Sequence, residues 1–160
     1  MAIMEDDLLA QELGKIGALG GKIGGALSGA GKIPDVSASL AVQVVAKFLP
    51  TETCTQQLSL HVPADKALKL GFFVLSKQGE IQKEAAVDAP YPFLKAVVKA
   101  GFFNMNPSVV YFEILQGDAS SCTVTITGAA KEGLIKQKTA EKAVQKVITH
   151  LREAIDRQLI

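Results

Sequence analysis

The residues able to do chemistry in this chain are few and scattered. Its two histidines, His61 and His150, have no Cys, Asp or Glu nearby at ligand spacing, so neither begins a metal site or a nucleophile–base pair. Cys54 and Cys122 belong to no Cys-x-x-Cys or Cys/His spacing. That argues against zinc and fits two thiols acting as small hydrophobes in a reducing compartment. Asp65 and Glu80 bracket a helical stretch, and Glu84 and Asp88 lie by a loop, but no two carboxylates stand out as an acid–base couple. The serines of Ser120-Ser121 and Ser37-Ala38-Ser39 lack the glycine frame of a nucleophile elbow. Residues 14–31 hold eight of the 14 glycines, yet neither Gly-x-Gly-x-x-Gly nor Gly-x-x-x-x-Gly-Lys-Ser/Thr occurs there. No catalytic residue, metal or cofactor is therefore expected.

Two other features suggest binding. Lys69-Leu70-Gly71-Phe72-Phe73 is echoed by Lys99-Ala100-Gly101-Phe102-Phe103. The four phenylalanines read as core, or else Phe102, Phe103 and Met105 line an apolar pocket or exposed edge. A run of lysines ends in Lys136, Lys138, Lys142 and Lys146. Lys136 and Lys138 immediately precede the last helix, where free N–H groups favour an anion. The alternative is a solvated polar face tempered by Glu132 and Glu141.

The glycine-rich segment carries a pattern of its own. Leu9, Leu13, Ile16, Gly20, Ile23 and Leu27 follow at steps of four and three, the seam of an amphipathic helix. Each interior glycine costs a helix about 1 kcal/mol, so eight would cost roughly 8 kcal/mol, as much as a whole domain's stability. Alone in water the segment is expected to be a flexible tether. Against a partner or a lipid surface, small residues permit close backbone approach, and Leu13, Ile16, Ile23 and Leu27 become the candidate association line.

These features must be positioned by the elements that follow. Val36 to Leu49 alternates like a strand but could also line a helix with Leu40, Val44, Val45 and Phe48; Asp35 as a cap and Pro50 as a stop favour the helix. Thr55 to Val62 reads as a strand. Pro63 opens a helix whose stripe is Ala64, Ala67, Leu68, Gly71 and Leu75, with Gly79 as its stop and Gly71 implying close approach to a sheet. Four more strands are predicted at Glu80 to Val87, Leu94 to Phe103, Ser108 to Gln116 and Ser121 to Lys131, with a hairpin loop at residues 116–120. A final helix begins at Thr139, read as its cap, and buries Val144, Val147, Ile148, Leu151, Ile155 and Leu159.

The expected class is α+β: a β-α-β4-α order in which a curved antiparallel sheet is covered by a long C-terminal helix. Residues 1–33 form the glycine-rich segment, 34–53 an apolar connecting element and 54–160 the domain. In element order that domain resembles the curved sheets gripped by a C-terminal helix in TATA-binding-protein repeats and helix-grip lipid carriers. The resemblance has no shared motif behind it and implies a fold without a function.

Bulk properties narrow the partners. With 160 residues, 48% apolar and 21% charged, the chain has the composition of a globular domain. A net charge of +1 makes nucleic acid an improbable partner. Glu5, Asp6 and Asp7 stand where a secretory signal would carry cations, and no eighteen-residue apolar run occurs. A cytoplasmic protein is expected, with peripheral membrane contact through the N-terminal segment. The expected function is non-enzymatic binding or assembly: the domain recognises a protein partner or apolar ligand, and the segment mediates self-association or membrane contact. The alternative is a small carrier holding a hydrophobic ligand between the sheet and the last helix; an enzyme ranks third.

Overall fold

The computed structural model describes residues 6–16, 35–82, 92–100, 106–132 and 137–157. Two helices come first, α1 over residues 6–16 and α2 over Asp35–Phe48. Strand β1 (Thr51–Leu60) is followed by α3 (Ala64–Gln78) and the short β2 (Gly79–Ile81). Strands β3 (Phe93–Ala100), β4 (Asn106–Gly117) and β5 (Cys122–Lys131) lead to α4 (Thr139–Asp156). The five strands form one antiparallel sheet in the order β1-β5-β4-β3-β2. The α+β class, the antiparallel sheet and the covering C-terminal helix are all present.

Strand alternation gives the sheet two faces. On the inner face Ala96, Val98, Val110, Phe112, Ile114, Val124 and Ile126 pack against α3 and α4. Helix α4 contributes Val144, Val147, Ile148 and Leu151, as its spacing predicts, while Ile155 is half-buried at the margin. It crosses the sheet at Gly128, where a side-chain carbon would come within 2.8 Å of Val144 and 2.9 Å of the Ala140 carbonyl oxygen. Gly71 serves α3 in the same way, since its missing carbon would lie 2.9 Å from the Phe112 ring. Outside the sheet, Leu9 of α1 is buried with Val109 and Ala129.

Several local expectations need correction. Strand β1 starts at Thr51 and ends at Leu60, because its pairing with β5 runs unbroken from Thr51↔Lys131 to Leu60↔Cys122. The buried stripe of α3 is Ala67, Leu70, Gly71, Val74 and Leu75. Leu70 and Val74 therefore join Ala67, Gly71 and Leu75 in the stripe, and Ala64 and Leu68 only flank the core. Gly79 does stop α3, as its C-cap, but not by a left-handed turn. Its backbone is extended, and a side chain there would strike the Val97 carbonyl oxygen, 1.9 Å away. Thr139 is the first helical residue of α4 and not its cap. Residues 6–16, read from sequence as part of a flexible or amphipathic segment, are helical, and α1 is held by the sheet beneath it. Only Gly14 of the eight glycines falls within α1, so the propensity cost there is small.

Candidate functional site

At the start of α4, burial pushes the Glu132 carboxyl up, but hydrogen bonding outweighs burial and holds it below the usual glutamate value. The Gln137 N–H donates to it at 2.6 Å and the Thr139 N–H at 2.8 Å. Thus the chain's own carboxylate occupies helix N–H groups that could have met an outside anion. Lys138 is the cap residue, with a left-handed φ of 54°, and its ammonium pairs with Glu141 at 3.1 Å. Lys136, Phe102, Phe103 and Met105, named from sequence as binding candidates, lie outside the described residues, as do Ile23 and Leu27.

Both histidines are exposed, and His150 Nδ1 lies 2.7 Å from the Lys146 carbonyl oxygen on its own helix. Burial pushes both Cys54 and Cys122 thiols above their ordinary pKa, which disfavours the reactive thiolate. Asp118 is drawn down to about 2 by the N–H groups of Ser120 and Ser121 and by their hydroxyls. It organises the β4–β5 turn, accepting both N–H bonds at 2.7 Å. Among the described residues no group of three His, Cys, Asp or Glu side chains could hold a metal.

The features that do converge are apolar, and they belong to α1 and α2. Asp6 fixes the start of α1: it accepts from Lys131 at 2.7 Å and from the Thr51 hydroxyl at 2.7 Å. The Lys131 and Thr51 bonds hold Asp6 below the usual aspartate value. Asp7 pairs with Lys47 of α2 at 2.8 Å. Gly14 lets the two helices close up, since a side-chain carbon there would overlap Gln43. Leu13 then faces Val42, Val45, Ala46 and Leu49 across a hollow of about 300 Å³. Leu13 and Ile16 are half-buried.

Outside this contact, α2 remains apolar. Val44 is 56% exposed, Val45 61% and Phe48 85%. Sequence periodicity grouped these three as the lining side of a helix; instead Ala46 is buried, Val42 and Leu49 are half-buried, Val45 only borders the hollow, and Val44 and Phe48 lie outside it. The phase is set by the position of α1, which periodicity cannot supply. The available signal was composition: of the 14 residues of α2 only Asp35 and Lys47 are charged. A helix apolar all round is normally covered. Among the described residues no helix is long and apolar enough to cross a membrane.

No protein-family model matches this chain. No curated protein matches it either. Among solved structures, norcoclaurine synthase from Thalictrum flavum, in complex with dopamine and hydroxybenzaldehyde, is similar over 68% of this chain and 88% of its own, with 6% identity and a TM-score of 0.39. A conserved protein of unknown function from Enterococcus faecalis is similar over 66% of this chain and 71% of its own, at 9% identity and TM-score 0.41. An aromatase/cyclase from a Streptomyces species covers 68% of this chain with 86% of its own, at 13% identity and TM-score 0.32. Such likeness concerns the arrangement of the chain and carries nothing about ligand or reaction.

Proposed function

We propose that this protein is a non-enzymatic binding protein that takes an apolar molecule of the acyl-chain class on its α1–α2 face. The observation that carries this reading is the outward side of α2, where Val44, Val45 and Phe48 stand exposed beside the hollow lined by Leu13, Val42, Ala46 and Leu49. Fully burying a side chain of this kind gains about 1.5–3 kcal/mol. Three that are already partly covered would supply on the order of 3–6 kcal/mol, enough for weak binding that strengthens as the hollow fills.

The face between the sheet and α4 is the less favourable place for such a ligand. Val110, Phe112, Val124, Ile126, Val144, Val147 and Leu151 are each 0% exposed, so no water-sized space borders these side chains. That packing supports reading the carried molecule onto the helices outside the sheet. Self-association through α2 is the competing use of the same surface.

The test is a titration with a fluorescent fatty acid and with neutral phospholipid vesicles, set beside sedimentation velocity. Replacing Val45 and Phe48 by Asp should weaken acyl binding at least tenfold while the thermal midpoint stays unchanged, because both side chains are exposed. An unmodified chain that binds neither probe overturns the reading, and so does binding that survives the double change. Association that is lost with the double change, without acyl binding, would assign the face to a second copy.

A further inference from the structure

The sheet ends in two very different edges. On one side, among the described residues, β2 spans Gly79–Ile81, with the Gln82 N–H bonded to the Lys95 carbonyl oxygen just beyond it. On the other side β1 runs for ten residues, Thr51–Leu60, and among the described residues it pairs only with β5. Edges are ordinarily protected by lysine, proline, a bulge or brevity. Strand β1 contains no Lys, Arg or Pro, and its ladder with β5 has no register shift. Its single charged residue is Glu52, near one end. Among the described residues, no main-chain hydrogen bond reaches β1 from outside the sheet.

We propose that β1 pairs antiparallel with β1 of a second copy of this chain, joining two five-stranded sheets into one across a two-fold axis. The occupant follows from the strand itself. Thr53, Thr55, Gln57 and Ser59 form its exposed row, all uncharged, and the three hydroxyl-bearing residues among them suit cross-strand hydrogen bonding. The outer face already shows one such contact, Thr55 with Thr127 at 3.1 Å. An axis through Gln56 sets Thr53 opposite Ser59 of the second copy and Thr55 opposite Gln57, so exposed residues meet exposed residues. In that register Glu52 falls opposite Leu60, and the two Glu52 carboxylates stay apart.

Antiparallel strands of this length exchange about ten main-chain bonds, the number found in a typical specific interface. Pairing across the two-fold axis uses the β1 edge of both copies at once and leaves no second β1 edge open. The assembly therefore closes as a dimer instead of growing into a filament.

The experiment is sedimentation velocity and light scattering on the full chain from micromolar to near-millimolar concentration. The unmodified protein should dimerise, and Thr55→Lys with Gln57→Lys should shift the dimer dissociation constant upward by at least tenfold. Both side chains are exposed, so unchanged circular dichroism is expected of the double variant. Hydrogen exchange supplies the second readout: amides of residues 53–59 should exchange more slowly as the concentration rises. The pair Val45→Asp and Phe48→Asp, which tests the acyl-binding face, should leave the dimer intact. A monomer throughout the range overturns the proposal. A dimer indifferent to the lysines but lost with the α2 changes also overturns it, and moves the contact to α2.

Discussion

The face of the sheet under α3 and α4 and the face under α1 arise from the same alternating strands, yet they are closed by different means. The inner face is filled with large side chains, among them Phe112, Leu70, Leu75, Ile126 and Leu151, all buried to within 1%. Two glycines, Gly71 and Gly128, bring its helices against the sheet more closely than any side chain would allow. Among the described residues the outer face has a smaller apolar cluster, Leu9 with Val109 and Ala129, flanked by Leu8 and Tyr111. Around that contact stand Asp6 with Lys131, Asp7 with Lys47, and Lys95 over the Tyr111 ring at 5.6 Å. The inner face therefore holds the fold together, whereas the outer face holds an attachment, oriented by charge and secured by little apolar area.

That contrast can be broken most directly by removing one large side chain from each face. Phe112→Ala should lower global stability by about 3–5 kcal/mol, the usual cost of emptying a fully packed aromatic site. Leu9→Ala should cost less in a global melt, about 2 kcal/mol or below, because α1 can come away while the sheet and α4 remain. Denaturant unfolding measures the first effect, and hydrogen exchange across residues 6–16 measures the second. Equal global losses at both positions would mean that α1 is as integral to the core as the strands.

The electrostatic attachment gives a smaller effect with a definite pH direction. Bonds from Lys131 and Thr51 depress the Asp6 pKa in the folded chain. A depressed carboxylate contributes stability that is present above its ordinary value and lost as the pH falls through the folded one. Acid should therefore loosen α1 before it disturbs the inner face. Asp6→Asn should mimic acid at neutral pH, costing about 1–2 kcal/mol of α1 docking. The Lys131 side chain is only 2% exposed and would keep just its bond to the Leu49 carbonyl oxygen at 3.1 Å, whereas Asp6 is 46% exposed, which limits the loss. Exchange rates in residues 6–16, followed from neutral pH into the carboxylate range, would check both the sign and the order of events.

What the sequence disclosed follows the same division. The inner face was legible: alternation over β4 and β5 and the stripe of α4 are periodic signals imposed by a core on one side. Gly71 likewise announced a close approach that is there. The outer face was much less so. Leu9, Leu13 and Ile16 belong to the seam seen in the sequence, and that stretch is helical over residues 6–16, while Ile23 and Leu27 lie outside the described residues. The Asp6–Lys131 contact joins residues 125 positions apart in the 160-residue chain, and no local pattern encodes such a pair. The phase of α2 was misread because Asp35, Ser39, Gln43 and Lys47 recur every four residues like a solvent stripe, whereas Gln43 and Lys47 meet α1. Glu132 escaped notice as the cap of α4 because it reaches the helix across a loop, seven residues before the Thr139 N–H it accepts. Capping signals are sought within three or four residues.

The finest test of the contrast is one substitution made once on each side of the sheet. Gly14 and Gly71 both sit inside helices, so alanine gains about 1 kcal/mol of helix propensity at either site. What the new methyl meets decides the outcome. At Gly71 it would lie 2.9 Å from two atoms of the Phe112 ring. That ring is fully buried and cannot move without disturbing the sheet, and overpacking of this kind costs about 1–3 kcal/mol. Gly71→Ala should therefore be destabilising on balance, by about 1 kcal/mol. At Gly14 the overlap is with Cγ, Cδ and Nε2 of Gln43, a half-buried side chain with rotatable bonds at the margin of α2. Rotation can relieve part of that overlap but disturbs the contacts Gln43 makes, so Gly14→Ala should offset its propensity gain and change stability by less than about 1 kcal/mol in either direction, less than Gly71→Ala. Thermal melts of the two single variants read the difference without reference to any ligand. Should Gly14→Ala prove the more damaging, the α1–α2 contact would be rigid packing, and the hollow beside Leu13 could not adjust to what it binds.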